Sequence, residues 1–452
     1  MFVRVALLFV FWVCAGARNP IISDVGIADP HARAFGDSVY IYATHDYSNL
    51  NTDYRMDDWW IWKTTDLLSY EKVSVLNPSV SMKWTNVSTR HSCWATDAGE
   101  KAGNYFWYVS VGPTSVAVLK SERDPAGPWN DVLKRPLLSA QLGDELKTQI
   151  RDPSILAYRG KRYIIFGTFT YYIAELGEDM MSLAEYPRLV EVRKALGNYG
   201  PGKTDDKPFL HEHDGRFYLS YGSFYCISES GPYGPYHFVG SFIATEAISP
   251  LFRSKPSAYN KSAPWWTNPD TQNRHGSFLH LHTQWYWFGN DISHSTDLKH
   301  PRYFRDVVAG YVHYFKNGSI APVKIDGAGV GSYDGKSKIE AENFFKASGA
   351  LKEESSVSSQ GFHVKVDKND SYLFYPNILV PPKKPTIRFF GNFNSGSIRV
   401  GVNGQYACSL RAGLAAKLCK LPQYGNILNV RLQFSGNEEG IASFALDYFV
   451  FE

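Results

Sequence analysis

The chain has 452 residues, a length that suits two domains better than one hydrophobic core. Aromatic residues make up 15% of the chain, and its 37 glycines and 24 prolines favour short strands and turns over long helices. The formal net charge is +3 with acids and bases interleaved, which argues against a nucleic-acid partner and suits a neutral polymer.

Residues 1–17 have the composition of a cleaved secretory signal peptide. Arg4 precedes a short apolar run, and Ala15-Gly16-Ala17 provides the small residues of a cleavage site. The run is too short to span a bilayer, and no later segment is apolar enough to do so. We therefore expect a secreted, extracellular protein without a membrane partner.

Four cysteines remain once Cys14 has left with the signal peptide. Cys408 and Cys419 lie close together across an Ala/Gly-rich connection, so a local disulfide is plausible there. Cys93 and Cys226 fit either a second bridge or buried apolar positions. Four sequons would make the chain a glycoprotein in a host that glycosylates: Asn86, Asn260, Asn317 and Asn369.

An internal repeat occupies most of the chain. Five segments share a polar or acidic start, an apolar strand, a turn residue and an aromatic-rich strand; they begin at Ala28, Cys93, Arg151, Asp205 and Asn273. The positions taken as equivalent are Asp29, Trp94, Asp152, Asp206 and His275. Each step has room for about four strands, and Asp-Gly or Arg-Gly at the bends indicates hairpins. The pattern predicts an all-β fold with a five-bladed β-propeller over residues 18–326.

The repeat stops near Asp326, and a different pattern follows. Residues 327–338 are rich in Gly, Ser and Lys, a composition typical of a linker. Residues 339–452 contain short alternating strands, which predict a β-sandwich of the jelly-roll type.

The repeat also nominates a functional site, because the first strand of each propeller blade approaches the central axis. Asp29, Asp152, Asp206 and His275 should therefore meet in space. Clustered carboxylates are what glycosidic cleavage requires: one protonates the leaving oxygen and another activates a water molecule. Like charges so placed raise one another's pKa, which helps to keep the acid protonated.

These motifs resemble those of glycoside hydrolase family 43, from about Asn19 to Asp326. The matching segments are NPIISDVGIADPHARAFGDSVYIYATHD, IRDPSILAY, DDKPFLHEHDGRFYLSYGS and NRHGSFLHLHTQWYWFGND. The resemblance implies an inverting arabinofuranosidase or xylosidase that acts on plant cell-wall polysaccharide without a cofactor for its chemistry. It also implies that Asp29 is the general base, that Asp152 orients and tunes the acid, and that His275 is an axial histidine near a calcium ion or a water cluster.

One departure from the family concerns the general acid. The family has a Glu where this chain has Asp206, and the neighbouring Lys207 would lower the pKa of that carboxyl group. Three interpretations remain open. Asp206 donates the proton, or Glu175 or Glu212 does so, or the acid is missing. In the last case the chain is a catalytically impaired, lectin-like glycan-binding protein.

Substrate-binding candidates are Trp94 and Phe224, which would wall a sugar pocket, together with Arg274 and His275. Arg274 would bind a substrate hydroxyl or pair with an axial carboxylate.

The C-terminal IEAENFF and LDYFVFE segments resemble carbohydrate-binding module family 6. That resemblance implies a structural calcium held by Glu340, Glu342 and Asp447. Five aromatic residues are equally eligible to bind glycan: Tyr372, Phe374, Tyr375, Phe390 and Tyr406. We expect the protein to be a monomer.

Overall fold

A computed structural model describes residues 18–51, 53–87, 90–143, 145–197, 199–252, 274–292, 304–380, 386–413, 417–421, 425–436 and 442–452. The predicted signal peptide and Asn260 lie outside these residues. Strands make up 54% of the structure and helices 4%, which confirms the all-β prediction. None of the described helices has the length and apolar character needed to cross a membrane.

Five antiparallel sheets follow one another along the chain up to Val312. The first sheet contains β1 (Ile27–Phe35), β2 (Ser38–Asp46), β3 (Met56–Thr64) and β4 (Glu71–Leu76). The second contains β5 (Cys93–Lys101), β6 (Asn104–Val111), β7 (Ser115–Glu122) and β8 (Leu138–Ser139). The third contains β9 (Ser154–Tyr158), β10 (Lys161–Thr168), β11 (Thr170–Glu175) and β12 (Arg188–Leu189).

The fourth and fifth sheets differ slightly from this pattern. A short parallel strand, β13 (Val192–Arg193), joins the edge of the fourth sheet, and a separate hairpin consists of β14 (Leu196–Gly197) and β15 (Gly200–Pro201). The main strands of the fourth sheet are β16 (Phe209–His213), β17 (Arg216–Tyr221), β18 (Phe224–Ser228) and β19 (Tyr236–Ser241). The fifth sheet has β20 (Gly276–Leu281), β21 (Gln284–Asp291) and β22 (Asp306–Val312) among its described residues.

Tight turns connect the first two strands of these sheets. Ala102-Gly103, Arg159-Gly160 and Asp214-Gly215 each place both residues at positive φ, the geometry of a two-residue type I′ hairpin. Short helices lie in the longer connections: α1 (Pro78–Ser81), α2 (Ala140–Gly143) and the 3₁₀ turns Thr245–Ala247 and Pro250–Phe252.

The five sheets close into a ring. Their first strands contact one another in the order β1, β5, β9, β16 and β20, and β20 contacts β1 in turn. Each successive pair of sheets encloses its own apolar cluster; Trp59 and Trp107, for example, lie between the first and second sheets. Phe288 of the fifth sheet packs with Ile41 of the first, so the last interface is built like the other four.

Two further sheets form the C-terminal part. One contains β23 (Tyr333–Asp334), β25 (Lys346–Ser348), β28 (Ser371–Leu379), β30 (Ser397–Val402), β31 (Gln405–Arg411) and β33 (Ile427–Ser435). The other contains β24 (Ile339–Glu340), β26 (Ala350–Glu354), β27 (Phe362–Val366), β29 (Thr386–Ser395), β32 (Leu418–Lys420) and β34 (Ser443–Phe451). A 3₁₀ turn, Ala341–Asn343, follows β24.

The inward side chains of these two sheets form a single apolar cluster, as strict alternation along the strands requires. In β33, for example, Leu428, Val430 and Leu432 are buried while the residues between them are exposed. A disulfide joins Cys408 and Cys419, as the sequence predicted. The other two cysteines of the mature chain, at 93 and 226, are buried free thiols.

The segment between the ring and the C-terminal part is packed rather than extended into solvent. Val330 is fully buried in the cluster between the fifth and first sheets. The hydroxyl groups of Tyr311 and Tyr333 lie 3.0 Å apart across the boundary. Gln284, which is also buried, donates to the carbonyl oxygens of Glu342 and Phe344 at 2.7 and 2.8 Å. The predicted linker segment therefore packs against both cores.

Candidate active site

A charged cluster occupies one end of the ring, where the first strands begin. Asp29, Asp152 and Lys207 each adopt a positive φ, of 51°, 58° and 49°, and each precedes a proline. A positive φ is uncommon for residues other than glycine, so three instances at one level of the ring define a repeated local geometry.

Backbone hydrogen bonds confirm this equivalence. The amides of Asp29 and Asp152 donate to side chains on the second strand of the preceding sheet, Asn290 at 2.7 Å and Ser110 at 2.8 Å, and the amide of Lys207 donates to the Asp152 carboxylate at 3.1 Å. Lys207, rather than Asp206, therefore stands in register with Asp29 and Asp152. The sequence alignment of the fourth repeat was displaced by one residue because it followed the acids instead of the prolines.

Asp29 is held from three sides. Asn290 donates to its carboxylate at 2.9 Å, Arg305 at 3.3 Å, and the Nδ1 atom of His275 lies 3.3 Å away. Burial raises the pKa of Asp29, but the positive charges of Arg305, His275 and Lys207 outweigh burial and hold this pKa well below its usual range. Asp29 is therefore an ionised carboxylate in a fixed orientation.

His275 links Asp29 to Asp206. Its Nε2 atom lies 2.8 Å from Asp206, while its Nδ1 atom faces Asp29. Burial lowers the pKa of His275, but the two carboxylates raise it to about 10. The ring is consequently an imidazolium at neutral pH, and it uses both N–H groups to hold the two acids.

Asp206 is the acid of this cluster that is open to solvent, with 26% of its side chain exposed. Arg151 donates to it at 3.2 Å, and the Arg151 guanidinium stacks 4.8 Å from the ring centre of Trp94. Burial raises the pKa of Asp206, but His275 and Arg151 together lower it below the usual range. The predicted agent of this lowering was Lys207, and the structure assigns it to the other two cations.

Two neighbouring acids have the opposite tendency. Burial raises the pKa of Asp205 to about 7, and the charge of Asp206 contributes to the shift. Burial likewise raises the pKa of Asp152 to about 6, against the attraction of Arg151. The Asp206 amide also donates to the Asp205 carboxyl group at 2.8 Å, so a carboxyl group whose pKa is raised lies beside one whose pKa is lowered.

Lys207 points into the ring rather than toward Asp206. Its ammonium group is buried, has no hydrogen-bond partner among the described residues, and interacts electrostatically with Asp29, Asp152 and Asp97. Burial lowers its pKa to about 8 in spite of these three acids. Lys207 therefore places a buried positive charge close to Asp29 and Asp152.

The other predicted acids lie elsewhere. Glu175 pairs with Lys161 at 2.7 Å, beside the turn that joins β9 and β10. Glu212 accepts from the amide of Gly215 at 2.6 Å, in the turn that joins β16 and β17. Both turns are at the end of their sheets opposite to Asp152, so neither glutamate joins the cluster.

The predicted substrate-binding residues are divided in the same way. Trp94 and His275 belong to the cluster, as described. Phe224 lies at the correct end of the fourth sheet but packs against Tyr221 and Phe238. Arg274 is fully buried and donates to Asp291 at 2.8 Å and to the carbonyl oxygen of Phe252 at 2.7 Å, so it is a structural residue.

A metal ion does not fit at the axis. Among the residues that the structure describes, Asp205, Asp206 and His275 are the one group of acids and histidines whose donor atoms lie within 4.8 Å of one another. A histidine must offer a free, unprotonated ring nitrogen to bind a metal, whereas both ring nitrogens of His275 face carboxylates. The Lys207 ammonium adds a further positive charge nearby.

Several functional residues were not anticipated from the sequence. Arg305 binds Asp46 at 2.8 Å as well as Asp29, but it lies outside the repeated motif, so no pattern marked it. Tyr54 and Tyr199 are 45% and 37% exposed, and the ring of Tyr54 lies under Arg305. Arg151 could have been recognised, because it immediately precedes the Asp-Pro motif of the third repeat.

Comparison with known proteins agrees with this fold. The chain is 22% identical over 273 residues to an arabinoxylan arabinofuranohydrolase of Bacillus subtilis, a match that covers 50% of this chain and 52% of that protein. It is 23% identical over 355 residues to xylosidase/arabinosidase 43A of Humicola insolens, covering 68% of this chain and 99% of that protein.

A solved structure extends the likeness to both parts of the molecule. The family 43 arabinoxylan arabinofuranohydrolase of Bacillus subtilis, in complex with cellotetraose, superposes with a TM-score of 0.55 and 19% identity. The alignment covers 96% of this chain and 97% of that one, so the two share a fold. The sequence model of glycosyl hydrolases family 43 matches residues 17–288. Because this match spans more than half of the 452 residues, the chain belongs to glycosyl hydrolases family 43.

Proposed function

We propose that the protein is a secreted, monomeric, inverting glycosidase that releases arabinofuranose or xylose from plant cell-wall polysaccharide. The five sheets of the ring are interpreted as the blades of a β-propeller over residues 18–326, with the acids at the mouth of its axis. Relatives named as arabinofuranohydrolases and xylosidases support this substrate class. Trp94, Tyr54 and Tyr199 are placed to line the entrance, where aromatic faces would stack against sugar rings.

Asp29 is proposed as the general base. Its depressed pKa keeps it ionised, and its hydrogen bonds to Asn290 and Arg305 fix the carboxylate that would take a proton from the attacking water. The observation that supports the inverting mechanism best is that His275 contacts both Asp29 and Asp206. His275 contacts Asp29 at 3.3 Å through one nitrogen and Asp206 at 2.8 Å through the other. These two contacts and the width of the imidazole favour a separation of the two carboxylates within the roughly 6.5–9.5 Å that inverting enzymes use.

Proton donation is assigned to Asp206 together with Asp205. Asp206 is the exposed member of this pair and would face the leaving oxygen, whereas the pKa of Asp205, raised to about 7, lets that carboxyl group hold a proton in part of the molecules at neutral pH. The two carboxyl groups interact strongly, so they titrate as a pair rather than as separate acids. Binding of a sugar would change the electrostatic environment of Asp206 and favour transfer of the shared proton from Asp205 to Asp206.

A second function is supported by one observation. Arg151 and His275 stabilise Asp206 as a carboxylate, which is the wrong state for an acid. If no proton reaches Asp206, the ring binds glycan without cleaving it, and the protein is a lectin-like relative of the family.

The C-terminal part, residues 339–452, is proposed as a β-sandwich carbohydrate-binding module with a structural calcium ion. Ser359 bonds to both Glu340 and Asp447. The Oε2 atom of Glu342 is buried without a hydrogen-bond partner among the described residues, and burial together with repulsion from the other two acids raises its pKa to about 8. Oxygen ligands of this kind suit calcium, but the donor atoms of these three acids do not all lie within 4.8 Å of one another, so the acids would have to draw together to hold the ion.

Product analysis distinguishes these functions. Purified protein is incubated with aryl α-L-arabinofuranoside, aryl β-xyloside and arabinoxylan, and the anomer of the released sugar is followed by NMR before mutarotation. Release of arabinose or xylose with inverted configuration is expected. Retained configuration would contradict the inverting assignment. Binding to arabinoxylan without release from any substrate would establish the lectin-like function.

A further inference from the structure

The outward side of the C-terminal sheet that contains β28, β33, β30 and β31 carries three arginines in a line. Arg431 on β33 is opposite Gly401 on β30, and Arg399 is two residues along β30. Arg399 is opposite Ser409 on β31, and Arg411 is two residues further along. Diagonal neighbours of this kind are about 7–8 Å apart, so the three guanidinium groups cross the sheet at regular intervals.

Aromatic rings accompany the line. The Arg431 guanidinium lies 3.8 Å from the ring centre of Tyr372, and that of Arg399 lies 5.2 Å from the ring centre of Tyr406. Tyr406 is 55% exposed, and its hydroxyl donates to Ser409 at 3.2 Å. We call Tyr372, Arg399, Tyr406, Arg411, Arg431 and Gln433 the arginine face; Gln433 is opposite both Tyr372 and Arg399.

The cations of this face have no acidic partners among the described residues. Arg399, Arg411 and Arg431 are exposed, and none of them forms an ion pair with a described carboxylate. In the three rows of cross-strand neighbours that contain these arginines, no described residue is acidic. Asp334 lies at the far edge of the same sheet, beside Leu379.

The second sheet of the C-terminal part provides a contrast within the same domain. Its Arg388 donates to Glu452 at 2.6 and 2.9 Å, and its Lys365 donates to Glu353 at 3.2 Å. Arg388 and Lys365 are therefore paired with acids, whereas the three arginines of the arginine face have no acidic partner among the described residues. Exposed arginines without an acidic partner among the described residues, next to the exposed ring of Tyr406, match a ligand that presents both carboxylates and apolar sugar faces.

We propose that the arginine face binds an acidic polysaccharide, with the carboxylates of its uronic-acid residues paired to Arg399, Arg411 and Arg431 and its pyranose rings stacked on Tyr406. The proposal rests on the proposed function in one respect, since it assigns to the C-terminal part the attachment of the enzyme to polymer. It goes beyond that function because it states that the polymer to which the enzyme attaches must be negatively charged. The enzyme would act on neutral side chains while anchored to an acidic region of the wall.

The test is affinity electrophoresis of the full chain in gels that contain polygalacturonate, neutral arabinoxylan or sulfated galactan. We expect polygalacturonate to retard the wild-type protein at low salt, and retardation to fall steeply as salt increases. The double variant Arg399→Gln/Arg431→Gln should lose this affinity by about tenfold or more, and Tyr406→Ala should also weaken it. Arg388→Gln, on the opposite sheet, is the matched control and should leave binding unchanged.

Three results would overturn the proposal. The first is absence of binding to polygalacturonate; the second is a double variant that binds like wild type while its melting temperature is unchanged. The third is equal binding of sulfated galactan together with no effect of Tyr406→Ala, which would make the face a non-specific cationic surface. Activity on aryl glycosides is measured in parallel, so failure of catalysis is distinguished from failure of acidic-glycan binding.

Discussion

The ring and the arginine face of the C-terminal part place their charges in opposite ways. In the ring, Asp29, Asp152 and Lys207 are buried at the starts of the first strands and shift one another's pKa. In the C-terminal part the interior between the sheets is apolar, and the arginine face lies exposed on the outside. Burial strengthens electrostatic interactions and so creates groups suited to proton transfer, whereas exposure leaves charges available to a ligand at little cost to the fold.

Among the changes in the ring, we expect Asp29→Asn to have the largest effect on activity. The amide keeps the shape and most hydrogen bonds but cannot accept a proton from water, so we expect kcat/KM to fall by on the order of 10² to 10⁴. Initial rates on aryl glycosides measure the loss, with the exposed Asp37→Asn at the other end of β1 as control. More than about a tenth of wild-type activity in Asp29→Asn would remove Asp29 from the role of base.

Asp206→Asn and Asp205→Asn test whether the two neighbouring acids act together. We expect both changes to slow release of poor leaving groups far more than release of dinitrophenol, which departs without protonation. Glu175→Gln, which alters an acid remote from the cluster, should keep the wild-type ratio. If only Asp206→Asn changes the ratio of the two rates, Asp205 does not supply the proton.

Lys207→Met tests the buried cation. The ammonium group helps to lower the pKa of Asp29, so its removal should raise that pKa. Because the base must be ionised, the acidic limb of the pH profile of kcat/KM should move upward by about one pH unit. The melting temperature should fall, because removal of the ammonium group leaves the buried acids Asp29, Asp152 and Asp97 with one compensating positive charge fewer. The exposed Lys203→Met is the control; an unchanged profile would make Lys207 a spacer.

The smallest expected effect concerns the proposed calcium ion in the C-terminal part. Millimolar calcium should raise the melting temperature by a few degrees, since a ligand that binds only the folded state stabilises it. Glu342→Gln should abolish this shift and leave the axial acids and catalysis unaffected. A shift that persists in Glu342→Gln would place the ion elsewhere.

Sequence patterns predicted the ring better than its centre. The Asp-Pro pairs at Asp29 and Asp152 repeat because the strand geometry recurs, so they were readable without coordinates. The fourth repeat has Lys207 before its proline, and an alignment that sought acids selected Asp206 instead. Arg305 could not be predicted, because it belongs to no repeat and meets Asp46 and Asp29 only after the ring closes.

The arginine face was hidden from sequence analysis for a related reason. Arg399, Arg411 and Arg431 are well separated along the chain, and no basic stripe is visible in the sequence. Cross-strand pairing brings them onto one surface. The alternation that predicted a sandwich specifies which residues point outward, but the neighbours of each outward residue depend on register, which local sequence does not define.

The packed connection at Val330 and Gln284 has a consequence for long substrates. Two binding sites on a flexible tether search for positions independently, whereas sites on one rigid body are held at a constant spacing. A polysaccharide that reaches both the arginine face and the charged cluster of the ring would be presented to the acids of that cluster at a high effective concentration. Oligosaccharides too short to span that distance would gain nothing from the second site, so the enzyme would prefer long substrates to short ones.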